Sequence, residues 1–232
     1  MKHVLITGAT RGIGKAIAQK YKEQGWYVIG TGQRHGEFDY LDEFFTCQLE
    51  DPIQIEKLLD ELKHLYIHTL VNNAGINVIN NFLDIQPDDF NRIHAVNVFA
   101  PFRLSQGLIP DMVNFSWGRI VNLSSVWGKI SKQGRASYSA SKFGIDGLTV
   151  AMANEFASQG ILCNCIAPGF IDTDMTWDNL GINGVNKMLE TVPINRLAKV
   201  EEVANLVYML GSEQNTYISG QNIAIDGGFT RA

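Results

Sequence analysis

The sequence predicts an α/β fold, a single domain (1–232) on one doubly wound parallel sheet of about seven strands with helices on both faces. Two observations predict it. Short apolar runs ending at glycine, asparagine or serine alternate with longer stretches of helical period, and strands separated by helices pair in parallel because parallel neighbours need crossover connections. No repeat, low-complexity tract or linker divides the 232 residues.

The elements follow in order. "HVLITG" reads as the first strand and residues 12–24 as the first helix, then "WYVIGTG" as a strand and "EFFTCQL" as a further one. Residues 52–65 are helical, "IHTLVNNAG" is a strand, and residues 87–114 form one long helix. "GRIVNLSS", a helix over 136–159, "ILCNCIAPG", a helix over 200–210 and "NIAIDGG" complete the pattern. In such a sheet the ligand site lies at the carboxyl ends of the strands, where strand order reverses.

Composition narrows the function. With 19 basic and 24 acidic residues the net charge is −5, which argues against a nucleic-acid partner, since phosphate backbones call for a basic surface. "MKHVLITG" lacks the apolar length of a secretory segment or membrane span, so a cytoplasmic location and no membrane partner are expected. Cys47, Cys163 and Cys165 form no C-x-x-C pair, and the five histidines show no ligand spacing, so neither disulfides nor a metal site is expected. Cys163 and Cys165 should share one face of a buried strand.

Three motifs fall at the predicted site. "TGATRGIG" leaves the first strand and enters the first helix, placing Gly8, Thr10, Arg11, Gly12, Ile13 and Gly14 where a dinucleotide pyrophosphate would meet unpaired helix amides. At the end of the second strand, Gly32 and Gln33 stand where an NAD-binding chain usually has an acid, and Arg34 follows. Arginine grips a 2′-phosphate in bidentate fashion, so NADP(H) is favoured, with NAD(H) kept open by Glu37. Tyr138 and Lys142 are i and i+4, neighbours on one helical face. A nearby ammonium should lower the phenol from its ordinary pKa of about 10 and let it exchange a proton near neutrality. Ser125 ends a strand and is placed to bond the same substrate oxygen, and Asn97 lies inside the long helix, where asparagine competes with the backbone ladder.

These residues, with "NNAG" (72–75) and "PGFIDT" (168–173), occur in the order and spacing of the short-chain dehydrogenase/reductase family, which the chain resembles from Lys2 to Phe229. The resemblance implies a Rossmann-type fold and hydride transfer between nicotinamide and a carbon bearing oxygen. It makes Tyr138 the general acid/base, Lys142 its partner on the nicotinamide ribose, Ser125 the group that orients the carbonyl and Asn97 the holder of a relay water. It implies that Asn72, Ala74 and Gly75 support the adenosine ribose, and that Pro168, Gly169, Ile171 and Thr173 border the nicotinamide. Relatives of this kind are mostly tetramers, so a homotetramer or homodimer is expected.

The pattern is similar to that of 3-oxoacyl-acyl-carrier-protein reductases, as in "IAPGFIDTDMT" and "YISGQNIAIDGG". Two carrier-docking arginines of that group are replaced by Ser116 and Gln159. Arg119, Lys129, Lys132, Arg135 and Lys142 instead occur in a stretch without acids, and Arg135 stands where the carrier reductases usually have glutamine. The expectation is a small, polar, anionic substrate, such as a carbohydrate derivative, with Arg135 and Trp127 lining its pocket; Lys129, Lys132 and Arg135 equally suit solvent or a subunit contact. Residues 173–193 should form a lid with an apolar side of Met175, Trp177, Leu180, Ile182, Val185, Met188 and Leu189. The competing readings are a non-catalytic NADP(H) sensor, disfavoured by the complete Asn97, Ser125, Tyr138 and Lys142 set, and an epimerase or dehydratase, disfavoured by chain length and glycine spacing.

Overall fold

A computed structural model describes the backbone of residues 1–232 and every side chain except those of Met175, Asn179 and Leu180. Strands β1 (His3–Ile6), β2 (Tyr27–Gly32), β3 (Glu43–Thr46), β4 (Thr69–Asn72), β5 (Gly118–Leu123), β6 (Ile161–Pro168) and β7 (Asn222–Ile225) form one sheet in the order β3-β2-β1-β4-β5-β6-β7. Every neighbouring pair is parallel. Strand order reverses between β1 and β4, which opens a crevice at their carboxyl ends.

The two-residue period of each strand sorts its side chains between two cores. Leu5, Ile29, Leu70, Ile120 and Cys163 face α2 (Pro52–Leu62), α4 (Ala100–Asn114) and α5 (Ala136–Phe156). Val4, Ile6, Val28, Val71 and Val121 face α1 (Gly12–Glu23) and α7 (Val200–Gly211). Residues buried on both sides explain why these strands read as continuous apolar runs. Cys163 and Cys165 share the α5 side, and burial pushes both thiols up to about 12.

Helix starts follow local chemistry. Asp51 caps α2 by accepting from Ile53 N at 2.9 Å, with Pro52 in the first turn. The expected single helix over 87–114 is three pieces: α3 (Pro87–His94), a π-turn (Ala95–Phe99) and α4. Pro101 has no N–H, so the Asn97 carbonyl four residues earlier loses its α-helical donor, and the ladder widens there. The expected helix over 52–65 ends sooner, at Leu62, and the one over 136–159 tightens into a 3₁₀ turn after Phe156.

Residues 173–193 hold α6 (Asp174–Leu189), which is two helical pieces joined at Gly181, where φ is 61°. Of its expected apolar side, Val185 is buried, whereas Trp177 and Ile182 face solvent. Met175 and Leu180 lie outside the described side chains. Among the described residues, no helix is long and apolar enough to cross a membrane, and no cluster of metal-binding side chains occurs.

Candidate active site

The glycine loop closes the carboxyl end of β1. Gly8 and Gly12 have φ of 66° and 53°, the left-handed region that glycine enters without strain. A Cβ on Gly14 would lie 2.1 Å from Gly8 O, so the turn can close only around a bare backbone. Over Gly12 a Cβ would meet only Thr173 Cγ2, at 3.6 Å, which leaves open space above the loop and places Thr173 across it. Arg11, at the N-cap of α1, makes no side-chain cap, and the first turn carries no acid. These unsatisfied amides and their dipole fit a pyrophosphate. At the end of β2, Gln33 and Arg34 are exposed, and no acidic side chain occupies either position.

The loop is braced by residues that sequence reasoning passed over. Asn73 Nδ2 donates to Thr7 O at 2.9 Å and Gly8 O at 3.1 Å, while Thr7 Oγ1 accepts from Asn73 N and Ala74 N, each at 3.0 Å. Tyr40 Oη donates to Ala9 O at 3.3 Å from the far side of β2. Asn72, named from its motif, instead lies within the sheet and donates to Asn122 Oδ1 at 2.8 Å. The second asparagine of "NNAG" thus holds the loop, a distinction that the alternating strand direction decides.

Asn97 sits in the π-turn and is buried. Its Oδ1 accepts from Ile76 N at 2.9 Å, and its Nδ2 donates to Ile76 O and to Ser141 Oγ, both at 3.0 Å. Ser141, on the same face of α5, was also not anticipated. A Cβ on Gly75 would lie 3.4 Å from both Asn97 Oδ1 and Lys142 Nζ, so this glycine keeps the floor beneath them open. Pro168 ends β6, Gly169 lies where a Cβ would strike Asp226 Cα at 2.8 Å, and Ile171 bridges to Ala198 before Thr173 begins α6.

Ser125, Tyr138 and Lys142 converge as expected, but the electrostatics differ from the sequence reading. Tyr138 was expected to have a lowered pKa under the influence of Lys142. Burial instead holds the phenol above its ordinary value, opposed by a hydrogen bond with Ser125 and by the Arg135 charge. Lys142 Nζ lies 5.5 Å from the Tyr138 ring centroid and donates to Leu123 O at 2.6 Å, and burial lowers its pKa to about 8. Desolvation is the largest influence on each member of the pair.

The acid-free basic stretch separates in space. Arg119 is buried at the opposite end of the sheet and donates to the carbonyls of Gly118, Gly160 and Asn215 at 2.8, 3.1 and 2.9 Å. Ser116 and Gln159 lie beside Gly160 at that same end. Lys132 and Arg135 instead reach the site, with Nζ and Cζ 5.0 and 5.6 Å from the Trp127 ring centroid. Trp127 is buried against Phe170 and Phe229 and forms a wall behind Ser125, whose Oγ accepts from Trp127 N at 3.2 Å.

Fold, switch point and glycine loop together define a dinucleotide-binding α/β protein. A family model described as Enoyl-(Acyl carrier protein) reductase matches residues 8–230. The 3-oxoacyl-acyl-carrier-protein reductase FabG of Escherichia coli (strain K12) is 36% identical over 236 residues, covering 98% of this chain and 96% of the relative. A crystal structure from Beutenbergia cavernae, assigned as an NAD(P)-dependent gluconate 5-dehydrogenase with NADP bound at low occupancy, superposes with a TM-score of 0.95 at 29% identity, covering 100% of this chain and 97% of that one. A 4-hydroxyisoleucine dehydrogenase complexed with NADH gives 0.94 at 30% identity, covering 100% of both chains. The chain belongs to the short-chain dehydrogenase/reductase family. It is an oxidoreductase that interconverts ketones and alcohols with a nicotinamide dinucleotide.

Proposed function

We propose that this oxidoreductase uses NADP(H) to interconvert the ketone and secondary alcohol of a small, polar, anionic substrate, a carbohydrate acid being the leading class. The observation that carries the reading is Arg135, which stands three residues before Tyr138 with no carboxylate partner among the described residues. A guanidinium in that position suits a substrate carboxylate. Gluconate and 4-hydroxyisoleucine, named for the two structural neighbours, both carry one.

Each residue has a role in this reading. Gly8, Thr10, Arg11, Gly12, Ile13 and Gly14 seat the pyrophosphate, and Arg11 with Arg34 takes a 2′-phosphate. Ala74 and Gly75 line the adenosine side, with Asn72 supporting them from within the sheet, while Pro168, Gly169, Ile171 and Thr173 border the nicotinamide. When bound, the reduced cofactor supplies hydride. Ser125 orients the substrate oxygen, and Tyr138 gives it a proton or takes one away. Lys142 turns from Leu123 O toward the ribose, and the Asn97 carbonyl, relieved of its helical donor by Pro101, holds a water that links Lys142 to solvent. Residues 173–193 close over the substrate as a lid that bends at Gly181. Phe99, Phe102, Phe143 and Val150, exposed on and beside α4 and α5, support pairing of these helices in a homotetramer or homodimer.

A second reading, reduction of a 3-oxoacyl group on acyl carrier protein, is favoured by the FabG relatives. Nicotinamide absorbance separates the two. NADPH and NADH are tested against an acetoacetyl thioester, simple ketones, and keto sugars with and without a carboxylate. Turnover confined to acidic keto sugars supports the first reading, and efficient turnover of the thioester replaces it with the second. Preference for NADH would overturn the cofactor assignment.

A further inference from the structure

Trp127 carries two cations on one indole, and neither Lys132 nor Arg135 forms an ion pair among the described residues. Arg135 Nε is buried without a hydrogen-bond partner. Burial and the neighbouring Arg135 charge together lower the pKa of Lys132, so the two groups sit at a cost to each other. A place that gathers positive charge, strips water from part of it and supplies no counter-ion is completed by an anion from outside. The start of α5 adds to the field, because Arg135 is its N-cap, no side chain caps it and its first turn holds no acid. The adjoining open cleft is lined by Asn80, Asn81, Asp84, Lys132 and Gln133, whose amides, carboxylate and ammonium suit hydroxyl groups.

This cluster is connected to Tyr138. Trp127 N donates to Ser125 Oγ, Arg135 lies three residues before Tyr138 at the start of α5, and Ser125 and the Arg135 charge both favour the phenolate against burial. Other ionisable groups near this end of α5 are Asp84, which lines the cleft with Lys132, Lys129, whose charge reaches Cys165, Lys142, which donates to Leu123 O, and Cys165 of β6, whose thiol burial keeps protonated.

We propose that Lys132 and Arg135 form one anion seat on the Trp127 indole, that it takes the carboxylate of a small polyhydroxy acid, and that its occupancy disfavours the Tyr138 phenolate. The proposal rests on the anionic-substrate reading above. A carboxylate in the seat cancels part of the positive field at Tyr138, so occupancy reinforces the protonated phenol that burial already favours. Reduction needs that proton. As hydride from the reduced nicotinamide forms the new C–H bond, the carbonyl π pair moves onto oxygen, the Tyr138 O–H bond breaks to protonate it, and the resulting phenolate is reprotonated from solvent. Oxidation needs the phenolate, and an occupied seat opposes it.

The test places difluorotyrosine at position 138 of the cofactor-free protein and follows its titration by fluorine NMR in gluconate and in uncharged glucitol, with binding of each measured by calorimetry. Gluconate is expected to raise the phenol pKa by about one unit, glucitol to leave it unmoved, and the Lys132→Gln/Arg135→Gln double variant to lose the shift. In the unlabelled enzyme, kcat for 5-keto-D-gluconate should titrate at higher pH than kcat for L-sorbose, its uncharged counterpart, while kcat/KM gives one pKa for both. Gluconate binding with no movement of the phenol overturns the coupling and leaves the anionic-substrate reading standing. No gluconate binding, together with equal use of 5-keto-D-gluconate and L-sorbose, overturns both. The wild-type comparison of the two substrates does not depend on the variant folding.

Discussion

Both ends of the sheet gather cations on indoles, yet they finish differently. At the amino end Lys2 lies over Trp26 and Trp117, and Arg119 lies 4.5 Å from the Trp117 centroid. There Lys2 pairs with Glu213, and the two Nη atoms of Arg119 donate to three backbone carbonyls, although its Nε, like that of Arg135, is buried without a partner. At the carboxyl end Lys132 and Arg135 share Trp127 with no ion pair among the described residues, and the Arg135 side chain donates no hydrogen bond there. The same pairing of cation and aromatic face is therefore structural where the protein completes it. In the proposed reading it becomes a binding feature where the completing group comes from solution.

Substitutions at the two ends should separate these roles, and the largest effect belongs to the carboxyl end. Tyr138→Phe keeps the ring and removes the proton, and kcat should fall by about a thousandfold with the melting temperature little changed. A loss under tenfold would remove Tyr138 from its assigned role. At the amino end, Arg119→Met strands three carbonyls and should cost about 2–4 kcal/mol in urea unfolding while kcat at low temperature is retained. Equal stability would show that those carbonyls find water instead.

Arg135→Gln is the converse case. The KM for 5-keto-D-gluconate should rise on the order of tenfold or more, as for a lost charge-assisted hydrogen bond, with the KM for L-sorbose and the urea midpoint nearly constant. A stability loss matching that of Arg119→Met would erase the contrast between the two ends.

The smallest effect is that of pH at the amino end. Burial, aided by the charges of His3, Lys2 and the chain's amino group, lowers the His68 pKa to about 4. The unfolded imidazole titrates near about 6.5, so below that value the unfolded chain binds a proton that the folded one refuses. Stability should therefore decline as pH falls from about 6.5 toward 4, by on the order of 1–2 kcal/mol once partial exposure is allowed for. His68→Phe should flatten this slope, and an unchanged slope would assign it to other groups.

Much of this was legible in one dimension. The glycine turn, the Tyr138–Lys142 pair and Ser125 at a strand end are set by spacing along a single element, and a helix or strand period converts spacing directly into a shared face. The π-turn at Asn97 was also written in the chain, as a proline four residues later. Asn73 and Tyr40 were missed for another reason, since each acts on the glycine loop from a different strand or loop. The grouping of Arg119 with Arg135 failed in the same way, because residues at opposite ends of a β-strand and its following loop can be near in sequence and far apart in the fold.

The sequence by itself determined the α/β alternation, the parallel sheet, the dinucleotide loop and the placing of Tyr138 and Lys142 on one helical face, because local period and turn chemistry specify them. Only the tertiary structure decided which cations are already satisfied and that Tyr138 is held above its ordinary pKa. Burial and charge act through space, and the neighbours that supply them, Trp127, Arg135 and Leu123 among them, are assembled by the fold.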